Sequence, residues 1–236
     1  MQANQICGLF KFYRQETRLD QLIAGTIHAN TAEFYRTHKA PGVRDPYESV
    51  SWAYREEAGD PPPRMWVNDR ELTGLTRLTV RGTGMKDRWL HCWTILRFPE
   101  SPAALDQLVA DLQRMREEFG THYGFIFPQD TNALLGRIQK CTKHEVNCAE
   151  VSYTNDMRNQ SPVCKAEEYR YQREWRILIG EPPEHSTEPL RIDVSGGLSA
   201  HIHKDPPLRL FDERRNIDWL TMDGDGGFTY TRPQER

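Results

Sequence analysis

Apolar and polar residues recur along this chain with two periods, and the switches between them mark out its elements. Residues 6–14 (ICGLFKFYR) are rich in apolar and aromatic side chains and predict a strand. Thr17 then stands as a helix cap ahead of Leu19, Leu22 and Ile23, spaced three and four apart, and Gly25 ends that helix. Residues 26–29 predict a short strand, after which Asn30 or Thr31 caps a brief helix carrying Phe34 and Tyr35. Residues 38–48 (HKAPGVRDPYE) predict a loop from their Pro and Gly content.

Residues 60–63 (DPPP) are the stiffest stretch, and strand-like segments resume at 65–67 and 75–81. The expectation is one domain spanning 1–236 with a Pro-rich surface excursion around 58–66. A strand is predicted at 88–96. Ser101-Pro102 then opens the clearest helix, with Leu105, Leu108, Val109, Leu112, Met115 and Phe119 at helical spacing and Gly120 after them. Residues 123–127 predict a buried strand, and Asp130 caps an amphipathic helix through Ile138. The last third predicts strands at 146–153, 169–179, 190–194 and 208–211, and a turn in MDGDGG at 222–227. Helices early and in the middle, with strands dominating late, point to an α+β fold.

Composition narrows the class. The 236 residues carry 31 Lys and Arg against 34 Asp and Glu, a net charge of −3, which argues against a dominant electrostatic grip on nucleic acid. Charged residues make up 28% and aromatic residues 10%, as in a folded chain and unlike a disordered one. No apolar run reaches the roughly 20 residues that span a bilayer, and the first residues lack a secretory pattern, so the expectation is a cytoplasmic protein with no membrane partner. Five scattered cysteines do not make a disulfide scaffold. Cys141, His144, Cys148 and Cys164 are soft donors for zinc, but their spacing lacks a paired knuckle, and reduced thiols are the expectation. The closing acidic turn lacks the spacing of a calcium loop.

The residues most open to chemistry lie in 169–179 (YRYQREWRILI). Read as a strand, one face carries Tyr171, Arg173, Trp175 and Ile177, and the other Gln172, Glu174, Arg176 and Leu178. That polar face is either a cross-strand salt-bridge ladder in solvent or the floor of a cleft where Glu174 accepts hydrogen bonds and Arg176 sets its charge state. Early groups complement it. Lys11 and Arg14 suit a phosphate or carboxylate, and His28, Thr31 and Tyr35 surround a strand-to-helix turn whose free N–H groups suit an anion. Arg44, Asp45 and Glu48 put charges of both signs in the 38–48 loop. His91 and Cys92 are adjacent, so on a strand they point to opposite faces and do not form a nucleophile–base pair.

The order LFKFYR, GTIHANTAEFYR, RDPYE, RWLHCWTI and KAEEYRYQREWRILI resembles a bacterial and phage family of unknown function, marked by an aromatic-Lys-aromatic first strand, a DPxE turn and a late E-W-R strand. The chain also resembles mono-ADP-ribosyltransferases: a basic residue on the first strand, a Ser/Thr-bearing strand after a helix, and a late Gln/Glu-x-Glu strand. That resemblance implies a twisted, split mixed sheet and NAD as substrate. It implies that Arg14 holds the dinucleotide, that the turn at His28–Thr31 braces the nicotinamide, and that Glu174 and Gln172 serve the ribose and the acceptor. Lys11, Tyr35, Asp45 and Arg176 would complete the cofactor site. The implied partner is a macromolecular target, a protein first of all, in phage–host conflict or a toxin system. The alternative is a non-catalytic binder using an aromatic surface of Trp52, Tyr54, Trp66 and Trp89.

Overall fold

A computed structural model describes residues 5–40, 42–156, 159–213, 216–224 and 227–231. The chain runs through β1 (Ile6–Tyr13), α1 (Glu16–Ile23), β2 (Thr26–Thr31), α2 (Ala32–Thr37), β3 (Trp52–Arg55), β4 (Met65–Val67), β5 (Arg70–Leu72), β6 (Arg77–Val80) and β7 (Trp89–Arg97). It continues with α3 (Pro102–Phe119), β8 (His122–Ile126), α4 (Thr131–Lys140), β9 (Val146–Glu150), β10 (Ser152–Thr154), β11 (Cys164–Ala166) and β12 (Glu174–Ile179). The final strands are β13 (Leu190–Asp193), β14 (His203–Lys204), β15 (Leu208–Asp212), β16 (Ile217–Met222) and β17 (Phe228–Tyr230). The fold is α+β, and among the described residues no helix is long and apolar enough to cross a membrane.

The main sheet has the order β13-β2-β7-β1-β8-β14, with β12 on β7 and β9 outside β12. All of its pairings are antiparallel, which corrects the expected mixed sheet; the parallel pair β10–β11 lies apart from it. β7 organises the whole. β12 takes one of its edges over Trp89–Thr94. The other edge is shared: β2 pairs at Trp89 and Leu90, and β1 pairs only from Thr94 onward. After Phe10, β1 leaves β7 and follows β8 instead. The sheet therefore divides beside His91–Trp93, where neither Lys11–Tyr13 of β1 nor Thr26–Ala29 of β2 pairs with β7.

Two cores cover its faces. One joins Leu22, Ile27, Trp93, Ile138, Trp175 and Ile177 beneath α1 and α4. The other sets Phe10, Phe12 and Tyr123 against Leu105, Leu108 and Leu112 of α3, with Trp219 and Leu220 of the β15–β16–β17 sheet behind them. α3 follows its apolar period, and the Ser101 hydroxyl accepts from the Ala104 amide as the N-cap. α1 starts at Glu16 with Gln15 as cap, two residues before the expected Thr17. For α2 the cap is Thr31, accepting from Phe34 N. Asp130 sits at the α4 N-terminus without a side-chain cap bond.

The expected strand at 169–179 is corrected. Residues Glu167–Gln172 form a 3₁₀ turn, and Arg173 takes a left-handed backbone with φ 46° before β12 begins at Glu174. The residue is held there by its Nε on Asp111 (2.7 Å) and its carbonyl on Ile95 N (2.8 Å). The Pro-rich residues 60–64 lead from a 3₁₀ turn at Glu56–Ala58 into the β4–β5 hairpin, which turns at Asn68 and Asp69, both with positive φ. Part of the predicted 222–227 turn lies outside the described residues.

Candidate functional site

β12 sends Trp175, Ile177 and Ile179 into the core beneath α1 and α4, so alternation sends Glu174 and Arg176 to the opposite face, beside Cys92 and Thr94 of β7. That face is not solvated. Glu174 is 6% exposed and Arg176 1%, which rules out a solvent-side ladder. They border a cavity of about 220 Å³ at the division of the sheet. Lys11, Asn30 and Tyr35 wall it from β1, β2 and α2; Gln172, Glu174 and Arg176 wall it from the late segment; Phe10, Phe12, Trp93 and Phe119 supply apolar surface.

The charged groups form one connected set. The Arg176 guanidinium grips the Glu48 carboxylate with two bonds, at 2.7 and 2.8 Å, and donates from Nε to Glu174 Oε2 at 2.7 Å. It also donates to the Pro162 carbonyl at 2.7 Å. The other Glu174 oxygen accepts from Lys165 Nζ at 2.7 Å, and the same ammonium donates to Gln172 Oε1 at 2.8 Å. The left-handed turn at Arg173 lets Gln172 and Glu174 meet one ammonium. Asp45 stands 3.8 Å from Lys165, with its Oδ2 buried and without a hydrogen-bond partner.

These contacts set the protonation states. Burial works against the Glu174 carboxylate, but Arg176 and Lys165 outweigh it and hold its pKa well below the ordinary range. Burial likewise opposes the Lys165 and Arg176 charges, and the neighbouring carboxylates, Glu174 first, raise both. Asp45 is pushed up to about 7 by burial and then by Glu48. The Cys92 thiol is pushed up to about 11 by burial and then by Glu174, so it is a neutral thiol. The Tyr35 phenol, raised by burial, keeps its proton and lies 3.8 Å from Cys92 Sγ.

Of the residues expected at a site, Lys11, Tyr35, Gln172, Glu174 and Arg176 come together on this cavity, and Asp45 stands behind Lys165. Three do not. Arg14 is exposed and donates from Nε and a terminal nitrogen to the Glu118 carbonyl, at 3.2 and 2.7 Å. His28 is exposed on β2, opposite Arg191 of β13. Thr31 spends its hydroxyl as the α2 cap. Glu48, singled out only as a charge of the 38–48 loop, and Lys165, which was not expected, complete the charged set; Lys165 lies in a three-residue strand with no periodic pattern to mark it.

His91 and Cys92 do point apart: His91 packs on the core side, its Nδ1 3.0 Å from the His28 carbonyl. Cys141 and Cys148 are exposed while Cys164 is buried, and among the described residues no three His, Cys, Asp or Glu side chains gather as a metal group. Of the four aromatic residues expected on a surface, Tyr54 and Trp89 are buried, Trp52 is half-buried and Trp66 is exposed. No protein-family model, curated protein or solved structure matches this chain.

Proposed function

We propose that this chain consumes NAD and transfers its ADP-ribosyl group to a macromolecular acceptor, with the nicotinamide end of NAD held in the cavity at the division of the sheet. One observation supports this above all. Lys11, the Asn30–Tyr35 junction and Gln172–Arg176, remote in sequence, wall the same cavity. The cavity is below the roughly 300–1,000 Å³ of pockets that enclose drug-sized ligands, so one end of the dinucleotide enters and the rest lies across its mouth.

The chemistry follows from the fixed carboxylate. As the C–N glycosidic bond breaks, nicotinamide leaves with the bonding pair and the ribose gathers positive charge. A carboxylate fixed in a sheltered site opposes that charge without having to reorganise. Glu174 is such a group: Lys165 and Arg176 hold it ionised and immobile, while each oxygen keeps a lone pair for a ribose hydroxyl. The acceptor then adds at the same carbon and loses a proton. Tyr35 and Asn30 offer neutral polar groups to the carboxamide, and the aromatic walls take the ring.

The test is nicotinamide release and labelled transfer from NAD into a cell lysate, by the wild type and by Glu174→Gln. Transfer by the wild type that falls about 10²–10³-fold in the variant supports the reading. No NAD binding and no release by a folded wild type contradicts it. One observation favours a second reading, a non-catalytic binder: Trp66 and Val67 are each 53% exposed on the β4–β5 hairpin, beside Leu72 at 39%. Retention of a partner by the wild type and its loss in Trp66→Ala would support that reading.

A further inference from the structure

Among the described residues Lys11 is the amine on the cavity that makes no ion pair, although the Glu174 carboxylate still acts on it. Lys165, its counterpart across the space, is neutralised by Glu174 and flanked by Asp45 and Glu48. Among the described residues Lys11 makes no ion pair, and its Nζ donates to the Cys92 carbonyl at 2.7 Å. That carbonyl belongs to the stretch of β7 beside the division, between the β2 and β1 pairings, so the lysine closes a gap in the sheet. A neutral amine still donates in that bond, more weakly than an ammonium does, and keeps its lone pair.

We propose that Lys11 is a nucleophilic amine that captures a small aldehyde entering this cavity as an imine. The surroundings favour it. Apolar walls from Phe10, Phe12, Trp93 and Phe119 disfavour a charge on nitrogen and accept an apolar aldehyde body. A lysine in an apolar pocket near other cations is the arrangement that activates an amine. The groups around Lys11 are the Glu174 carboxylate, the neutral Cys92 thiol, the His91 imidazole and the Tyr13 ring, whose centroid is 5.9 Å from Nζ. Lys165 and Arg176 lie on the same cavity. Burial lowers the Lys11 pKa, and Cys92 and Glu174 only partly restore it.

The step balances without an oxidant or reductant. The Lys11 lone pair adds to the carbonyl carbon and one N–H proton passes to the oxygen; the second N–H proton then passes to the departing hydroxyl as the C–O bond breaks, C=N forms and water leaves. Tyr35, which keeps its proton, is the cavity's donor to the departing hydroxyl. This does not depend on NAD being the substrate.

Benzaldehyde with sodium cyanoborohydride, which reduces the imine to a stable secondary amine, is the probe. The intact folded chain is labelled near neutral pH and the adducts are mapped by mass spectrometry. The expected result is severalfold more adduct on Lys11 than on the exposed Lys39, Lys140 and Lys143, with that excess lost in Lys11→Arg and in urea-unfolded wild type. If Lys11→Arg fails to fold, the comparison of folded with unfolded wild type decides alone. Lys11 labelled no more than the exposed lysines in the folded chain overturns the proposal.

Discussion

Two buried clusters of charge meet at Glu48, and they differ in what they face. Beneath α2, Arg36 binds Glu33 at 2.8 Å and Asp87 at 2.6 Å, with Arg55 and Arg77 3.5 and 3.7 Å from Glu33 and Arg81 3.0 Å from Asp87. Beside β12, Arg176 and Lys165 bind Glu174 and Glu48. Glu48 joins the two: its backbone carbonyl accepts from Arg36 at 2.7 Å, and its carboxylate is held by Arg176. Arg36 and Arg176 are equally hidden, at 1% exposure each. Yet Arg36, Glu33 and Asp87 do not line the cavity, whereas Glu174, Arg176 and Lys165 do.

Burial and ion pairing are therefore not what marks a site here. A buried pair is weak evidence even for stability, because desolvation offsets much of the attraction. What distinguishes the β12 cluster is the failure of strand pairing beside it. Where β1 leaves β7, charged side chains face a space with aromatic walls instead of backbone. The α2 cluster fastens the 42–48 segment to α2 and the strands around it, and the β12 cluster uses that same segment as one wall.

The largest effect that would break this comparison is on stability. Arg176→Met and Arg36→Met each leave carboxylates buried without their partner, so each should cost about 3–5 kcal/mol in urea unfolding. A cost near zero for either would mean that its cluster is not formed as described. Function should separate the two more sharply. Glu174→Gln is expected to lose transfer by about 10²–10³-fold, or about 2.7–4 kcal/mol of transition-state stabilisation, whereas Glu33→Gln should leave transfer per folded molecule unchanged. Equal losses from both would erase the distinction.

A smaller effect lies in the pH dependence. Asp45 keeps its proton in the folded chain up to about 7, against an ordinary 3.8. Between those values the folded state binds more protons than the unfolded state, so this group's contribution to stability falls as pH rises. Asp45→Asn should remove that slope, leaving the variant more stable than wild type near pH 8 and level with it near pH 4. Thermal or urea unfolding at the two pH values checks it. The smallest effect concerns the start of α2. Thr31→Ala removes the α2 cap and should cost about 1 kcal/mol while leaving NAD affinity within error, because the hydroxyl is engaged with Phe34 N.

Much of the fold was legible because its signals are local. The period of α3, a cap at Asn30 or Thr31 and the apolar run of β7 needed no tertiary context. The alternation of β12 also placed Glu174 and Arg176 on one face. Gln172 reached that group by another route, through a left-handed Arg173 that no pattern in YRYQREW announces. Arg14 looked as suitable as Lys11, since both are cations near the end of one strand. What separates them is where β1 leaves β7, and that is a property of pairing across the sheet. Lys165 was hidden for the same reason: a lysine in a three-residue strand acquires meaning only when Glu174 and Gln172 arrive beside it.

The most direct test is a crystal structure of the wild type grown with nicotinamide at saturating concentration. The account predicts ring density in the cavity between the aromatic walls and Glu174, with the carboxamide toward Tyr35 and Asn30. A well-ordered chain with that cavity free of nicotinamide, or with the ring bound elsewhere, would contradict it.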